Sequence, residues 1–218
     1  VLEKMQFKEA KNCTYVPVSL VKLPHGKMSS RTGDNILYST FRKELIDCAK
    51  EEIKKRWENL DEDELKKRAD VIATAAIKYA MLKQNPNKEI VFRKEDAMTF
   101  EGDTGPYLQY SYARARSIIR KSKAKKNDDS PLHHEKEMLI LKKIAEFEEQ
   151  TKKAARELNP GVIATYAFSL SQSFNEFYSA CKVIGEKEEP FRIRIVDAFT
   201  KTLKDALNLL GIEVLEEM

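Results

Sequence analysis

A chain of 218 residues is long enough to bury a substantial core as one large or two small domains. Its 42% hydrophobic and 34% charged content, with seven glycines and seven prolines, excludes a collagenous, disordered or glycine-rich all-β class and favours helix. The 39 basic residues nearly balance the 35 acidic ones, so a net charge of +4 decides nothing about partners, and any hold on a polyanion has to come from local clustering.

In chain order, residues 15–23 alternate and are β-branched, but Pro17 restricts them to an edge strand. The break Pro24-His25-Gly26 leads into a loop of Lys27, Met28, Ser29, Ser30, Arg31, Thr32, Gly33 and Asp34. Hydroxyls and cations of this kind suit phosphate oxygens, although composition alone favours a solvated loop. Ser39 or Thr40 is expected to cap a helix running through Leu45, Ala49 and Ile53 to Trp57. The polar, acidic stretch 59–63 marks a domain boundary. After it, Leu65, Ala69, Ile72, Ala73, Ala76, Ile77 and Ala80 recur at helical spacing, predicting a central helix whose small residues permit a close neighbour. Residues 89–93 form a short extended link.

Residues 102–121 are the most informative stretch. Thr104 can cap a helix and Pro106 fits its first turn. Tyr107, Tyr110 and Arg114 then share one face at i, i+3 and i+7, with Arg116 and Arg120 spaced i, i+4 beside it. Residues 104–127 hold no carboxylate but carry Arg114, Arg116, Arg120, Lys121, Lys123, Lys125 and Lys126, a footprint suited to a polyanion. Tyrosines at this spacing equally fit a packed core; the adjacent arginines are what favour stacking on single-stranded bases.

One helix is predicted over 132–158, then a helix after Asn159-Pro160 carrying Phe174, Phe177, Tyr178 and Cys181, then a last helix from Pro190 with Gly211 just past its end. Cys13, Cys48 and Cys181 include no CxxC pair and suggest neither disulfides nor zinc, and no metal site is expected. His25 and the pair His133-His134 have no third partner at metal spacing. No apolar run approaches the roughly 20 residues of a membrane span, and no signal-peptide pattern opens the chain. A cytoplasmic protein is expected. The residues by themselves lead to a two-part, mainly helical, phosphate-contacting protein.

Residues 21–33, residues 102–121 and the tail 210–218 together resemble the arginyl-tRNA synthetases. The fold implied is mainly α: a helical anticodon-binding domain over residues 59–218, preceded over residues 1–58 by the short α/β end of a class I, Rossmann-type catalytic domain. The resemblance implies a class I ligase that joins arginine to tRNA-Arg with ATP and Mg²⁺. Lys27, Met28, Ser29, Ser30 and Arg31 would form its KMSKS-like ATP loop, with Lys27 as the catalytic cation. Ser30 stands where the second lysine of that motif belongs, a departure also typical of this family. Nothing resembles the HIGH motif, so the chain reads as a C-terminal fragment, inactive alone and without a tightly bound cofactor. Tyr107, Tyr110, Arg114, Arg120, Tyr178 and the terminal Met218 would contact the anticodon region, fraying being the alternative for Met218. No DNA or membrane partner is implied, and the state implied is monomeric. A helical protein-interaction module, or another class I synthetase such as the cysteinyl enzyme, is the alternative.

Overall fold

The computed structural model describes residues 2–22, 37–57, 60–124 and 134–218. The loop of Lys27, Met28, Ser29, Ser30 and Arg31 lies outside these residues.

Among the described residues the structure is mainly helical. A 3₁₀ turn, Lys8–Asn12, precedes a two-residue strand β1 (Val21–Lys22), which pairs in parallel with β2 (Ile90–Val91) in the register Val21 to Ile90 and Lys22 to Val91. The extended stretch expected over 15–23 thus forms a ladder only at its end. Tyr15, Val18 and Leu20 are exposed, and the Ser19 amide donates to the Pro86 carbonyl at 2.8 Å.

Helices α1 (Tyr38–Lys54) and α2 (Glu62–Leu82) connect the two strands. The expected Ser39 or Thr40 cap is not found: Leu37 is the N-cap residue, without a side-chain bond, because its carbonyl already accepts from the Phe41 amide at 3.0 Å. Asp61 caps α2 by accepting from the amides of Asp63 and Glu64, and Glu62, Asp63 and Glu64 set negative charge at the positive end of the helix dipole. Leu45, Ala49 and Ile53 of α1 share a core with Leu65, Ala69, Ile72 and Ala76 of α2, so the acidic break at 59–63 separates two helices that pack together.

The central position expected for α2 is observed. Its other side contributes Ala75 and Tyr79 to a second, larger core, built with α4 (Gly105–Lys121), α5 (Glu135–Ala145), α7 (Gly161–Ala180) and α8 (Glu189–Leu209). Phe174 of α7 stacks on Phe199 of α8 with ring centroids 4.0 Å apart and planes 6° from parallel. A one-turn helix α3 (Lys94–Ala97) lies on the first core.

The single helix expected over 132–158 is two, α5 and α6 (Phe147–Glu157), broken at Glu146. The Tyr166 hydroxyl of α7 donates to the Lys143 carbonyl at 2.9 Å, taking an acceptor that a continuous helix would offer to the Phe147 amide. His134 is the N-cap of α5: its Nδ1 accepts from the Lys136 amide, while Glu137 Oε2 accepts from the His134 amide.

Helix α8 stops where the sequence indicates. Gly211, at φ +65°, donates to the Asn208 carbonyl, and the Ile212 amide donates to the Leu207 carbonyl, both at 2.9 Å. This is a Schellman turn, with the buried Ile212 packed into the second core. It launches residues 213–218 back across the molecule. Val214 touches the second core, Leu215 and Met218 the first.

Candidate nucleic-acid interface

Helix α4 starts as its sequence dictates: Thr104 Oγ1 accepts from the Tyr107 amide at 3.2 Å and donates to the Thr99 carbonyl at 2.6 Å, with Pro106 in the first turn. Leu108, Ala115 and Ile118 are buried in the second core, which fixes the rotation of the helix. Two opposite edges are left to carry the polar residues.

The first edge holds Tyr107, Tyr110 and Arg114 and faces α7. Tyr107 is half-buried. Its ring packs against Phe168 at 5.8 Å, and its hydroxyl accepts from Asn175 Nδ2 at 2.6 Å. Tyr110 is 38% exposed. The Arg114 guanidinium lies 4.3 Å from the centroid of the Tyr178 ring, within cation–π range. Tyr178 in turn stacks on Phe174, and Phe174 on Phe199. A column of rings therefore runs from the core to a guanidinium at the surface. The column fixes Tyr178, and Tyr178 fixes Arg114, which limits the entropy lost when that side chain engages a ligand.

The second edge holds Gln109, Tyr112, Arg116 and Arg120, and the C-terminal tail lies along it. Gln109 Nε2 donates to the Glu213 carbonyl at 2.7 Å, the Tyr112 hydroxyl to Glu216 Oε1 at 3.0 Å and Arg116 Nε to Glu216 Oε2 at 2.7 Å. Arg120 Nη1 donates to the Glu216 carbonyl at 3.0 Å, and its Nη2 lies 3.2 Å from Glu217 Oε1. Burial works against ionising Glu216, but hydrogen bonds from Arg116 and Tyr112 and the charges of Arg116 and Arg120 outweigh it and hold the carboxyl below its usual range. Burial, then the hydrogen bond to this carboxylate and its charge, pushes the Tyr112 phenol up to about 12.

The structure thus brings Tyr107, Tyr110, Arg114 and Tyr178 to one side of α4 and α7. Arg120, six residues beyond Arg114, falls about 240° further round the helix and is engaged by the tail. Met218 is also elsewhere: it lines a small apolar recess with Ile53, Trp57, Ile72, Phe100 and Leu215, flanked by Arg56 and Arg68. Sequence reasoning missed Asn175 and Phe168, although Asn175 sits one turn before Tyr178 on the same helix face. It also missed Gln109 and Tyr112, whose partners are about a hundred residues away in the chain. Among the described residues no group of three or more His, Cys, Asp or Glu side chains could hold a metal ion, and no helix is long and apolar enough to cross a membrane.

A helical bundle that displays a rigid tyrosine–arginine face belongs to the class of RNA-recognition modules that read unstacked bases. Comparison with known proteins gives the particular family: residues 108–218 match the DALR anticodon binding domain, and the chain belongs to that family. The arginine–tRNA ligase of Thermoplasma acidophilum is 36% identical over 220 residues, covering 100% of this chain and 40% of the ligase. The Clostridium botulinum arginine–tRNA ligase is 35% identical over 223 residues, with 100% and 39% covered. The chain therefore spans about two fifths of the length of these curated relatives. Among solved structures, the arginyl-tRNA synthetase of Thermus thermophilus superposes with a TM-score of 0.82 at 30% identity, over 92% of this chain and 35% of that one. The Plasmodium falciparum arginyl-tRNA synthetase gives 0.76 at 27% identity, over 84% and 34%.

Proposed function

We propose that this chain is the anticodon-recognition portion of an arginine–tRNA ligase, and that it binds tRNA-Arg through the face formed by Tyr107, Tyr110, Arg114 and Tyr178. The observation that carries this reading is the Arg114 guanidinium held over the Tyr178 ring beside the exposed Tyr110. Tyr110 offers a stacking surface for an unstacked base, and Arg114 offers donors to a phosphate or a base edge. Tyr107, tied to Asn175 and Phe168, holds the start of α4 against α7.

In the whole enzyme the reaction joins arginine to tRNA at the expense of ATP, with Mg²⁺ neutralising phosphate charge. Lys27, Met28, Ser29, Ser30 and Arg31 would contribute one ATP-contacting loop to it, with Lys27 as the cation facing the leaving pyrophosphate. The rest of the catalytic apparatus would come from the part of the enzyme that this chain does not span. The names and coverage of the relatives favour this reading over an RNA-independent interaction module or a cysteinyl enzyme.

Replacing Arg114 by alanine should weaken binding of a tRNA-Arg transcript by ~1–3 kcal/mol, as for other base-contacting arginines. Titration of the transcript at fixed salt measures this. Unchanged affinity would remove Arg114 from the interface.

A further inference from the structure

The cationic stretch of α4 is not uniformly open to solvent. Its second edge is already occupied by anions supplied by the chain itself, and in an arrangement that resembles a short piece of polyanion. Glu216 presents both carboxylate oxygens, one to Tyr112 and one to Arg116, and its carbonyl to Arg120. Glu217 follows at the next residue, with Oε1 3.2 Å from Arg120 Nη2 and Oε2 3.9 Å from Arg68 Nη2. Successive carboxylates thus meet successive cations along the helix.

These pairs are accessible. The side chains of Arg116 and Arg120 are 33% and 41% exposed, and those of Glu216 and Glu217 are 54% and 46% exposed. Ion pairs at such exposure contribute little net stability, so an external polyanion can compete for the same arginines. The tail is nevertheless kept in place by contacts that involve no carboxylate: Gln109 to the Glu213 carbonyl, Lys78 to the Gly211 carbonyl, and Leu215 and Met218 in the first core. The competing anions are therefore presented at high local concentration.

We propose that Glu216 and Glu217 are specificity-determining residues: they occupy the phosphate-binding capacity of Arg116 and Arg120, so that RNA is held by the Tyr110, Arg114 and Tyr178 face and gains little from generic backbone contacts. This rests on the RNA-binding reading above. Its physical basis is that phosphate contacts supply affinity without sequence information, whereas stacking and base-edge contacts discriminate. Neutralising two arginines internally removes two counterion-releasing contacts from every RNA, cognate or not.

The test compares the 218-residue chain with Glu216→Gln/Glu217→Gln, using poly(U) and a tRNA-Arg transcript over a series of salt concentrations. For the variant, poly(U) affinity should rise several-fold at low salt. The slope of log K against log salt should steepen by about 1.4, from roughly 0.7 per single-strand phosphate contact and two new contacts. The preference for tRNA-Arg over poly(U) should fall. Adding Arg116→Gln/Arg120→Gln to the variant should return the slope to its original value, which a general loosening of the fold would not do. Unchanged poly(U) affinity and slope in the double variant, with tRNA-Arg still bound by the parent chain, overturns this inference and leaves the RNA-binding reading standing. A slope that stays steep in the quadruple variant also overturns it. A parent chain that binds neither RNA overturns the underlying reading and this inference with it.

Discussion

Replacing Arg192 by methionine is expected to destabilise the fold by about 3–5 kcal/mol, because it strips a buried carboxylate of its counter-charge. Glu137 of α5 is 0% exposed, and Arg192 of α8 donates to it from Nε at 2.8 Å. The same guanidinium donates to the Lys182 carbonyl at 2.8 Å and lies 3.8 Å from Glu188. One side chain therefore closes α8 onto α5 and onto the 181–188 connection. Methionine replaces the volume but none of the donors, and Glu137 also serves the α5 cap by accepting from the His134 amide. Urea denaturation monitored by circular dichroism measures the loss as a lower midpoint at unchanged slope. Combining Arg192→Met with Glu137→Gln should recover part of it, since a neutral amide is far less costly to leave buried. A single variant within 1 kcal/mol of the parent would contradict the pairing.

The second large effect is expected at Gly105, where α4 meets α2 with backbone against backbone. A Cβ at this position would lie 2.4 Å from the Ala75 carbonyl oxygen, 2.7 Å from its carbon and 3.1 Å from Tyr79 Cβ. Neither the carbonyl nor the fully buried Tyr79 can step aside. The Tyr79 hydroxyl is fixed 2.6 Å from Asp103 Oδ1 and 3.0 Å from the Ala164 carbonyl, and burial followed by the Asp103 hydrogen bond pushes its phenol well above the usual range. Gly105→Ala therefore forces α4 away from α2, at ~1–3 kcal/mol. For a chain of this length that is a fall in Tm of roughly 2–12 °C by thermal denaturation. An unchanged Tm would show that the two helices are not in this contact. The same clash explains why the helix start reads Thr-Gly-Pro: Thr104 caps, Pro106 fixes φ, and only glycine fits between them.

What was legible in the sequence is what local chemistry decides. Thr104 and Pro106 announced the start of α4, Gly211 announced the end of α8, and the spacing of Leu65, Ala69, Ile72, Ala73 and Ala76 announced the two-sided role of α2. Tyr107, Tyr110 and Arg114 share a face because 3.6 residues make a turn. The rest depended on distant partners. The break between α5 and α6 is made by the Tyr166 hydroxyl, 23 residues beyond the carbonyl it takes. The direction of Arg120 is set by Glu216, 96 residues further along. Periodicity gives the angle of a side chain round its own helix but not what waits there, so a carboxylate-free stretch looked uniformly open to a polyanion when one of its edges was filled by the chain's own tail.

The account turns on whether the face of Tyr110, Arg114 and Tyr178 reads the anticodon of tRNA-Arg. The most direct measurement is a binding competition at fixed salt between a tRNA-Arg transcript and the same transcript with its anticodon bases replaced. At ~1–3 kcal/mol for each stacked base, the altered transcript should bind the chain at least tenfold more weakly. Equal affinity for the two would contradict the account.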